Sequence, residues 1–223
     1  MFRPNPVFAG LPTSIFQHMT FLALDHDALN LGQGFPDEDG PVGLREVAAK
    51  ALVDGPNQYP PSKGLTVLRQ AVSAHARHFY NLEYDPEDEV VITSGGTEAL
   101  GAAILATASA GEEFVLVEPT YDSYRPIVQS TGAVIRTVKL APPELKLTEQ
   151  ALRAAIGPRT RAVLINSPHN PAGRVFTRAE LETLAKVVDG TDAVVICDEV
   201  YEHLTYDGRP HIPFATLPGM RQR

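Results

Sequence analysis

One stretch, Arg161–Tyr201, carries the clearest fold signal and reads RAVLINSPHNPAGRVFTRAELETLAKVVDGTDAVVICDEVY. Its two apolar runs, Ala162–Ile165 and Ala193–Cys197, have the length and β-branched content of buried strands. Between them, Thr177–Val188 has apolar residues at helical spacing. This strand–helix–strand order predicts a mainly parallel sheet covered by helices on both faces, which is a three-layer α/β/α fold.

Polar residues follow each predicted strand directly. Asn166, His169 and Asn170 come after the first strand, and Asp198 and Tyr201 come at the end of the second. The carboxyl ends of parallel strands meet at one edge of an open sheet, and ligands bind at that edge. We therefore expect a ligand site there.

Each of these residues also has an ordinary structural interpretation. Asp198 at a strand end is either a capping or salt-bridge carboxylate, or a partner for the protonated nitrogen of a pyridine ring. Asn170 precedes a proline and by itself favours a simple turn. Tyr201, and Tyr121 after another strand, suit either core packing or contact with an aromatic ligand.

A second candidate site lies earlier in the chain. A short predicted strand, Glu89–Thr93, runs into SGGTEALGAAILATA (94–108). A strand followed by two glycines and an alanine-rich helix leaves free backbone N–H groups at the helix N-terminus, which suits an anion. The pattern matches neither the dinucleotide-binding G-x-G-x-x-G motif nor the P-loop.

The rest of the chain alternates in the same way. An irregular arm is expected at Met1–Pro12, and glycine- and proline-rich loops at Leu31–Pro41 and Asn57–Gly64. The expected helices and strands are Ile15 to about Ala28, Val42 to about Leu52, Leu65–Tyr80 with a buried stripe at Leu65, Leu68, Val72 and Ala76, Phe114–Val117, a helix ending near Ser130, Val134–Val138 and Glu149–Ile156. No helix or strand is expected after Tyr201.

Composition excludes several classes. The 223 residues have a net charge of −8, which argues against a nucleic-acid surface. A single cysteine, Cys197, excludes an internal disulfide and favours a reducing, cytoplasmic setting. No apolar run reaches membrane length, the histidines show no metal-ligand spacing, and G-x-S-x-G is absent from the sequence, so membrane, metal and serine-hydrolase functions are not expected. We interpret His169 and Cys197 as structural.

Six motifs, taken in order, resemble those of class I/II aminotransferases, the pyridoxal-phosphate enzymes of fold type I. They are LGQGFPD (31–37), NQYPP (57–61), GGTEAL (95–100), EPTYDSY (118–124), NSPHNPAG (166–173) and DEVYEHLTYDG (198–208). The resemblance extends from about Leu11 to the last residue. It is strongest to the kynurenine, glutamine, methionine and N-succinyldiaminopimelate aminotransferases. It implies an N-terminal arm and small-domain segment over residues 1–45 and a large cofactor-binding domain over 46–223.

The resemblance also implies how pyridoxal 5′-phosphate is held. The backbone amides of Gly96 and Thr97 bind the phosphate, and Tyr121 stacks on the pyridine ring. Asp198 pairs with the ring nitrogen.

Further roles implied by the resemblance concern the ring hydroxyl, the substrate and a second subunit. Asn170 and Tyr201 hydrogen-bond the ring hydroxyl, and Asn170 and Gly34 lie at the substrate carboxylate. Phe16 forms part of the substrate-pocket rim. Tyr59 reaches the phosphate of the other subunit's cofactor, which implies a homodimer.

The family's catalytic lysine, which holds the cofactor as a Schiff base and moves the proton, is expected beyond Arg223. We therefore expect this chain to be the N-terminal portion of an aminotransferase and to be inactive alone. The intact enzyme is expected to transfer an α-amino group from a methionine, aromatic, kynurenine-type or N-succinyldiaminopimelate donor to a 2-oxo acid. A carbon–sulfur β-lyase and a non-catalytic cofactor-binding regulatory module are the alternatives. The strand Glu89–Thr93 is expected to lack its sheet neighbours.

Overall fold

A four-stranded parallel sheet forms the centre of the larger of two compact units, which comprises Lys63–Arg223 and the segment that ends at Ala9. The computed structural model describes residues 2–34, 36 and 38–223. The elements in chain order are α1 (Pro6–Ala9), α2 (Ile15–Asp25), α3 (Val42–Asp54), α4 (Thr66–Tyr80), α5 (Gly96–Thr107), β1 (Glu113–Glu118), α6 (Tyr124–Ser130), β2 (Val134–Lys139), α7 (Glu149–Ala155), β3 (Thr160–Asn166), α8 (Arg178–Val188), β4 (Val194–Asp198) and a 3₁₀ turn (Phe214–Thr216).

The strands lie in the order β2-β1-β3-β4, and every neighbouring pair is parallel. The register places Asn166, the last residue of β3, opposite Asp198, the last residue of β4. The two polar residues therefore share the carboxyl edge of the sheet. The predicted parallel α/β sheet is confirmed.

Both faces of the sheet are covered, as the alternation along β1 shows. Phe114 and Leu116 belong to a core cluster that includes Ile104 of α5. Val115 belongs to the opposite cluster, which includes Leu184 of α8. Because successive side chains of a strand point to opposite faces, this division produces three layers, as the sequence predicts.

Helix α8 shows why the sequence between the last two strands is helical. Thr177 accepts a hydrogen bond from the backbone N–H of Glu180, whose carboxylate accepts one from the N–H of Thr177, so the pair forms a capping box. Leu181, Leu184 and Val188 are buried on one side of the helix. The cap fixes where the helix begins, and the apolar spacing fixes the face that packs on the sheet.

The predicted strand at Glu89–Thr93 does not form, because this segment has no sheet ladder, and the expectation that it lacks sheet neighbours is confirmed. The backbone N–H of Ile92 donates to the carbonyl of Lys63 over 2.9 Å, and the Arg221 guanidinium donates to both carboxylate oxygens of Glu89. Val91 is 61% exposed. A strand requires a partner for its backbone groups, and the chain holds this segment by isolated bonds instead.

The predicted buried stripe of α4 is also wrong. Leu65, Leu68 and Val72 are 45%, 44% and 41% exposed, whereas Arg69 and Ser73 are buried. The face that packs is the polar one, because the segment after α4 offers it backbone carbonyls. Arg69 donates to the carbonyl of Pro86, and the Ser73 hydroxyl donates to that of Tyr84. Hydrogen bonding to a loop has overridden apolar periodicity here.

Two smaller corrections concern the chain ends. The arm expected to be irregular contains the helical turn α1, and the segment after Tyr201, expected to lack helices, contains the 3₁₀ turn. Both are single turns with few of the periodic positions on which a sequence pattern depends.

The second compact unit spans Gly10–Ser62 and contains α2 and α3. Ser14 caps α2 by accepting a hydrogen bond from the N–H of Gln17 over 3.2 Å. The domain division at residue 45 concerns the whole protein and stays a prediction. Over residues 2–34, 36 and 38–223, no helix has the length and apolarity needed to cross a membrane.

Candidate active site

A cavity of about 180 Å³ opens at the carboxyl edge of the sheet, beside the N-terminus of α5. It brings together six of the residues predicted for the site, since its lining consists of Gly96, Thr97, Leu100, Tyr121, Tyr124, Asn166, Asn170, Asp198, Val200 and Tyr201. The other predicted residues, Phe16, Gly34 and Tyr59, belong to the unit Gly10–Ser62. Their roles stay predictions.

Two donors fix the carboxylate of Asp198 at the end of β4. The Tyr124 hydroxyl donates to Oδ2 over 2.5 Å, and the Val200 backbone N–H donates to Oδ1 over 3.2 Å. Burial, and then the hydrogen bond to Asp198, raise the pKa of Tyr124, so this phenol stays a protonated donor. The half-buried carboxylate therefore has a fixed orientation.

The sequence pattern alone assigns no role to Tyr124. The available signal was its position three residues after Tyr121 in EPTYDSY, which brings both side chains to the start of α6. Their rings meet edge to face, with centroids 5.7 Å apart. Tyr124 is 2% exposed, so its ring packs in the core while its hydroxyl contacts the site residue Asp198.

Asn166 is a second residue whose role the sequence did not assign. Its side-chain amide donates to the carbonyl of Asp198 over 2.9 Å, and its side-chain oxygen accepts from the Asn170 backbone N–H over 2.6 Å. The buried Asn166 therefore joins the ends of β3 and β4 and holds the residue that begins the N-P-A-G turn. In the sequence, this role is indicated only by the position of Asn166 as the last residue of a strand.

The N-P-A-G turn is closed by its own backbone. Gly173 has a φ of +65°, a conformation that favours glycine, and its N–H donates to the His169 carbonyl over 2.8 Å. Burial, and then the charge of Arg174, lower the pKa of His169 to about 4. The neutral ring accepts from the Ala172 N–H through Nδ1, which supports the structural interpretation of His169.

The N-terminus of α5 provides a place for an anion at the other side of the cavity. Gly95 occupies the cap position with a φ of +85°, and the Glu98 carboxylate accepts from the Ser94 N–H. A Cβ built on Gly95 or Gly96 would meet nothing within 4 Å, so the space beside these two residues is open. Free N–H groups and the helix dipole favour a phosphate or carboxylate there.

Taken together, the cavity has an oriented carboxylate, an open helix N-terminus, and Tyr121 and Tyr201 on its lining. A carboxylate suits a protonated ring nitrogen, a helix N-terminus suits a phosphate, and tyrosines suit the face and hydroxyl of an aromatic ring. A phosphorylated pyridine fits this set of groups.

The comparisons agree with this chemistry. The family model for aminotransferase class I and II matches residues 26–220, and the chain belongs to that family. The family predicted from the motifs is therefore confirmed, and its enzymes depend on pyridoxal phosphate.

Individual relatives carry related activities in their names. A probable N-succinyldiaminopimelate aminotransferase of Mycobacterium tuberculosis is 48% identical over 213 residues, covering 95% of this chain and 54% of that protein. The methionine aminotransferase of Escherichia coli is 38% identical, covering 99% of this chain and 57% of that protein. The solved structure of N-succinyldiaminopimelate aminotransferase from M. tuberculosis superposes with a TM-score of 0.93 at 46% identity, covering 98% of this chain and 57% of that one. The chain spans about half the length of the curated relatives it matches.

Proposed function

We propose that this chain forms the cofactor-binding side of an aminotransferase that moves an α-amino group from an amino acid to a 2-oxo acid. One observation carries the proposal: six residues predicted from separate motifs line one cavity at the carboxyl edge of the sheet. Ligand sites of open α/β sheets occur at this edge. Bound pyridoxal phosphate supplies the electron sink on which amino-group transfer depends.

Asp198 is proposed to keep a proton on the ring nitrogen. Its two oxygens accept from Tyr124 and from the Val200 backbone, which leaves lone pairs for one further donor. Because its carboxylate is already held in one orientation, the Asp198 side chain loses little conformational freedom when a ligand binds. Asn166 supports this arrangement by holding the backbone carbonyl of Asp198.

The remaining cavity residues are proposed to orient the ring. Gly96 and Thr97 offer backbone N–H groups to the phosphate, and Tyr121 stacks on the ring face. Asn170 and Tyr201 donate to the ring hydroxyl. The support for these roles is that all five line the same cavity as Asp198.

Part of the site is proposed to come from elsewhere. A volume of about 180 Å³ is below the roughly 300–1,000 Å³ of typical ligand sites. No lysine is among the described residues that line the cavity. We propose that the catalytic lysine follows Arg223 in the complete protein, that Gly34 and Phe16 contact the substrate, and that Tyr59 serves the cofactor of a second subunit in a homodimer.

The amino donor is proposed to be a methionine, aromatic, kynurenine-type or N-succinyldiaminopimelate substrate. Relatives named for N-succinyldiaminopimelate, methionine and kynurenine match nearly the whole chain, which supports this range. The single cysteine supports a reducing, cytoplasmic setting for the protein.

A donor panel tests the proposal. The complete protein that contains this chain is incubated with pyridoxal phosphate, 2-oxoglutarate and each amino donor, and glutamate is measured. We expect transfer with at least one donor of the proposed classes, and its loss when Asp198 is replaced by alanine. Release of pyruvate and ammonia from cystathionine without glutamate would favour the β-lyase, and cofactor binding without any turnover would favour the regulatory module.

A further inference from the structure

Apart from the cofactor cavity, three potential metal ligands converge at one place on the larger unit. His75 lies on α4, and Glu202 and His203 lie in the turn that follows β4. The two Nε2 atoms are 3.0 Å apart. The Glu202 Oε1 lies 3.5 Å from Nε2 of His75 and 3.7 Å from Nε2 of His203.

These separations match the edges of a metal coordination shell. Zn²⁺ binds histidine nitrogen and carboxylate oxygen at about 2.0–2.2 Å with tetrahedral geometry, which places neighbouring ligand atoms about 3.3–3.6 Å apart. The three atoms therefore need to move by only a few tenths of an ångström to share one ion. Two imidazoles and a carboxylate also form a donor set that zinc uses in proteins.

The surroundings hold the ligands in place. The ring of Phe79 contacts both imidazoles, with centroids 4.7 Å from His75 and 4.8 Å from His203. The Tyr80 ring also lies edge-on to His75, with centroids 6.3 Å apart. Such outer contacts orient metal ligands and raise affinity.

We propose that His75, Glu202 and His203 bind one Zn²⁺ ion, with water in the fourth position. The ion would join α4 to the turn after β4, directly beside Tyr201 of the cofactor cavity. The sequence-based expectation of no metal site considered only ligands close together in the chain. His75 and His203 are 128 positions apart, so only the fold reveals the cluster.

The test uses the complete protein that contains this chain, without an affinity tag and freed of metal by a chelator. Zn²⁺ is titrated by calorimetry, and Co²⁺ is titrated by visible absorption. We expect one ion per chain, a rise in the unfolding temperature with Zn²⁺, and Co²⁺ bands typical of tetrahedral coordination. Removing a residue that only supports a metal ligand weakens metal binding about 10- to 100-fold. Removing a ligand itself, in His203→Asn or His75→Asn, should therefore weaken Zn²⁺ binding at least tenfold.

His78→Asn is the matched control, because His78 is an exposed histidine of the same helix whose ring also contacts Phe79. It should bind Zn²⁺ as the original chain does. Circular dichroism establishes that each variant is folded, and the exposed His203 is the safer of the two ligand substitutions. No binding by the original chain, equal binding by His203→Asn, or an equal loss in His78→Asn would each overturn the proposal.

Discussion

Replacing Glu180 with alanine removes a carboxylate that joins three segments near the site. Oε2 accepts from the Arg174 guanidinium over 2.6 Å and from the backbone N–H of Thr177 over 2.9 Å. Oε1 accepts from the Leu147 N–H over 2.9 Å. Arg174 follows the N-P-A-G turn, so Glu180 anchors the loop that carries Asn170.

The cost can be worked from these contacts. The side chains of Arg174 and Glu180 are 16% and 12% exposed, and removing one partner of a buried pair costs about 3–5 kcal/mol. Arg174 would keep its bonds to the carbonyls of Glu144 and Leu145, which favours the lower end. Thr177 would still cap the helix by accepting from the backbone N–H at position 180, so only the return bond of the capping box is lost. We expect Glu180→Ala to lower the free energy of unfolding by about 3 kcal/mol.

Glu182→Ala is the control, since Glu182 pairs with Arg178 on the exposed face of the same helix. That pair is 3.9 Å long with both side chains 55% exposed, and such pairs contribute less than about 1 kcal/mol. Urea denaturation at neutral pH measures both variants. A Glu180→Ala value within about 0.5 kcal/mol of the Glu182→Ala value would refute the assignment of Glu180 as an anchor.

The stability that Glu180 contributes should depend on pH. Burial tends to raise the pKa of Glu180, but hydrogen bonds from Thr177 and Leu147 and the charge of Arg174 outweigh it, and the pKa is lowered. A carboxyl whose pKa is lower in the folded state stabilises the protein above its unfolded value of about 4.3. The difference between the original chain and Glu180→Ala should therefore shrink as the pH falls below that value.

The remaining predictions concern a glycine contact and a site hydrogen bond. Gly64 has a φ of +92°, and a Cβ there would lie 2.5 Å from Cβ of Ile92, so Gly64→Ala should destabilise by at least about 1 kcal/mol in urea. Gly101→Ala, inside α5 with nothing within 4 Å, should instead stabilise by about 0.5–1 kcal/mol, and equal effects of the two variants would contradict this. Tyr124→Phe removes the donor to Asp198 and should cost about 1.5 kcal/mol in urea, and a change below about 0.5 kcal/mol would argue against that bond.

The sheet and most of the cavity were predictable because their signals are local. The β-branched runs Ala162–Ile165 and Ala193–Cys197 are short, the first is buried and the second is mostly half-buried, and the parallel order brings the residues after them to one edge. Asp198 is therefore placed by topology, and Asn170 by topology together with its bond to Asn166.

The errors and omissions come from contacts between distant segments. Glu89–Thr93 has strand-like residues, but a strand exists only where a neighbour offers backbone partners. The buried face of α4 depends on carbonyls of the following loop, which no periodicity records. Tyr124 gains its role from a bond to Asp198, 74 positions away.

The central claim is that Asp198 pairs with the ring nitrogen of the cofactor, and calorimetry with pyridoxamine 5′-phosphate tests it most directly. This ligand has no aldehyde, so reaction with surface lysines does not confuse the measurement. In the complete protein, Asp198→Asn keeps the side-chain shape but removes the charge, and loss of a charged hydrogen bond of about 1.5–3 kcal/mol weakens affinity about 10- to 150-fold. The exposed Asp122 nearby provides the control variant Asp122→Asn, which should bind as the original protein does. Equal affinity of Asp198→Asn and the original protein would contradict the account.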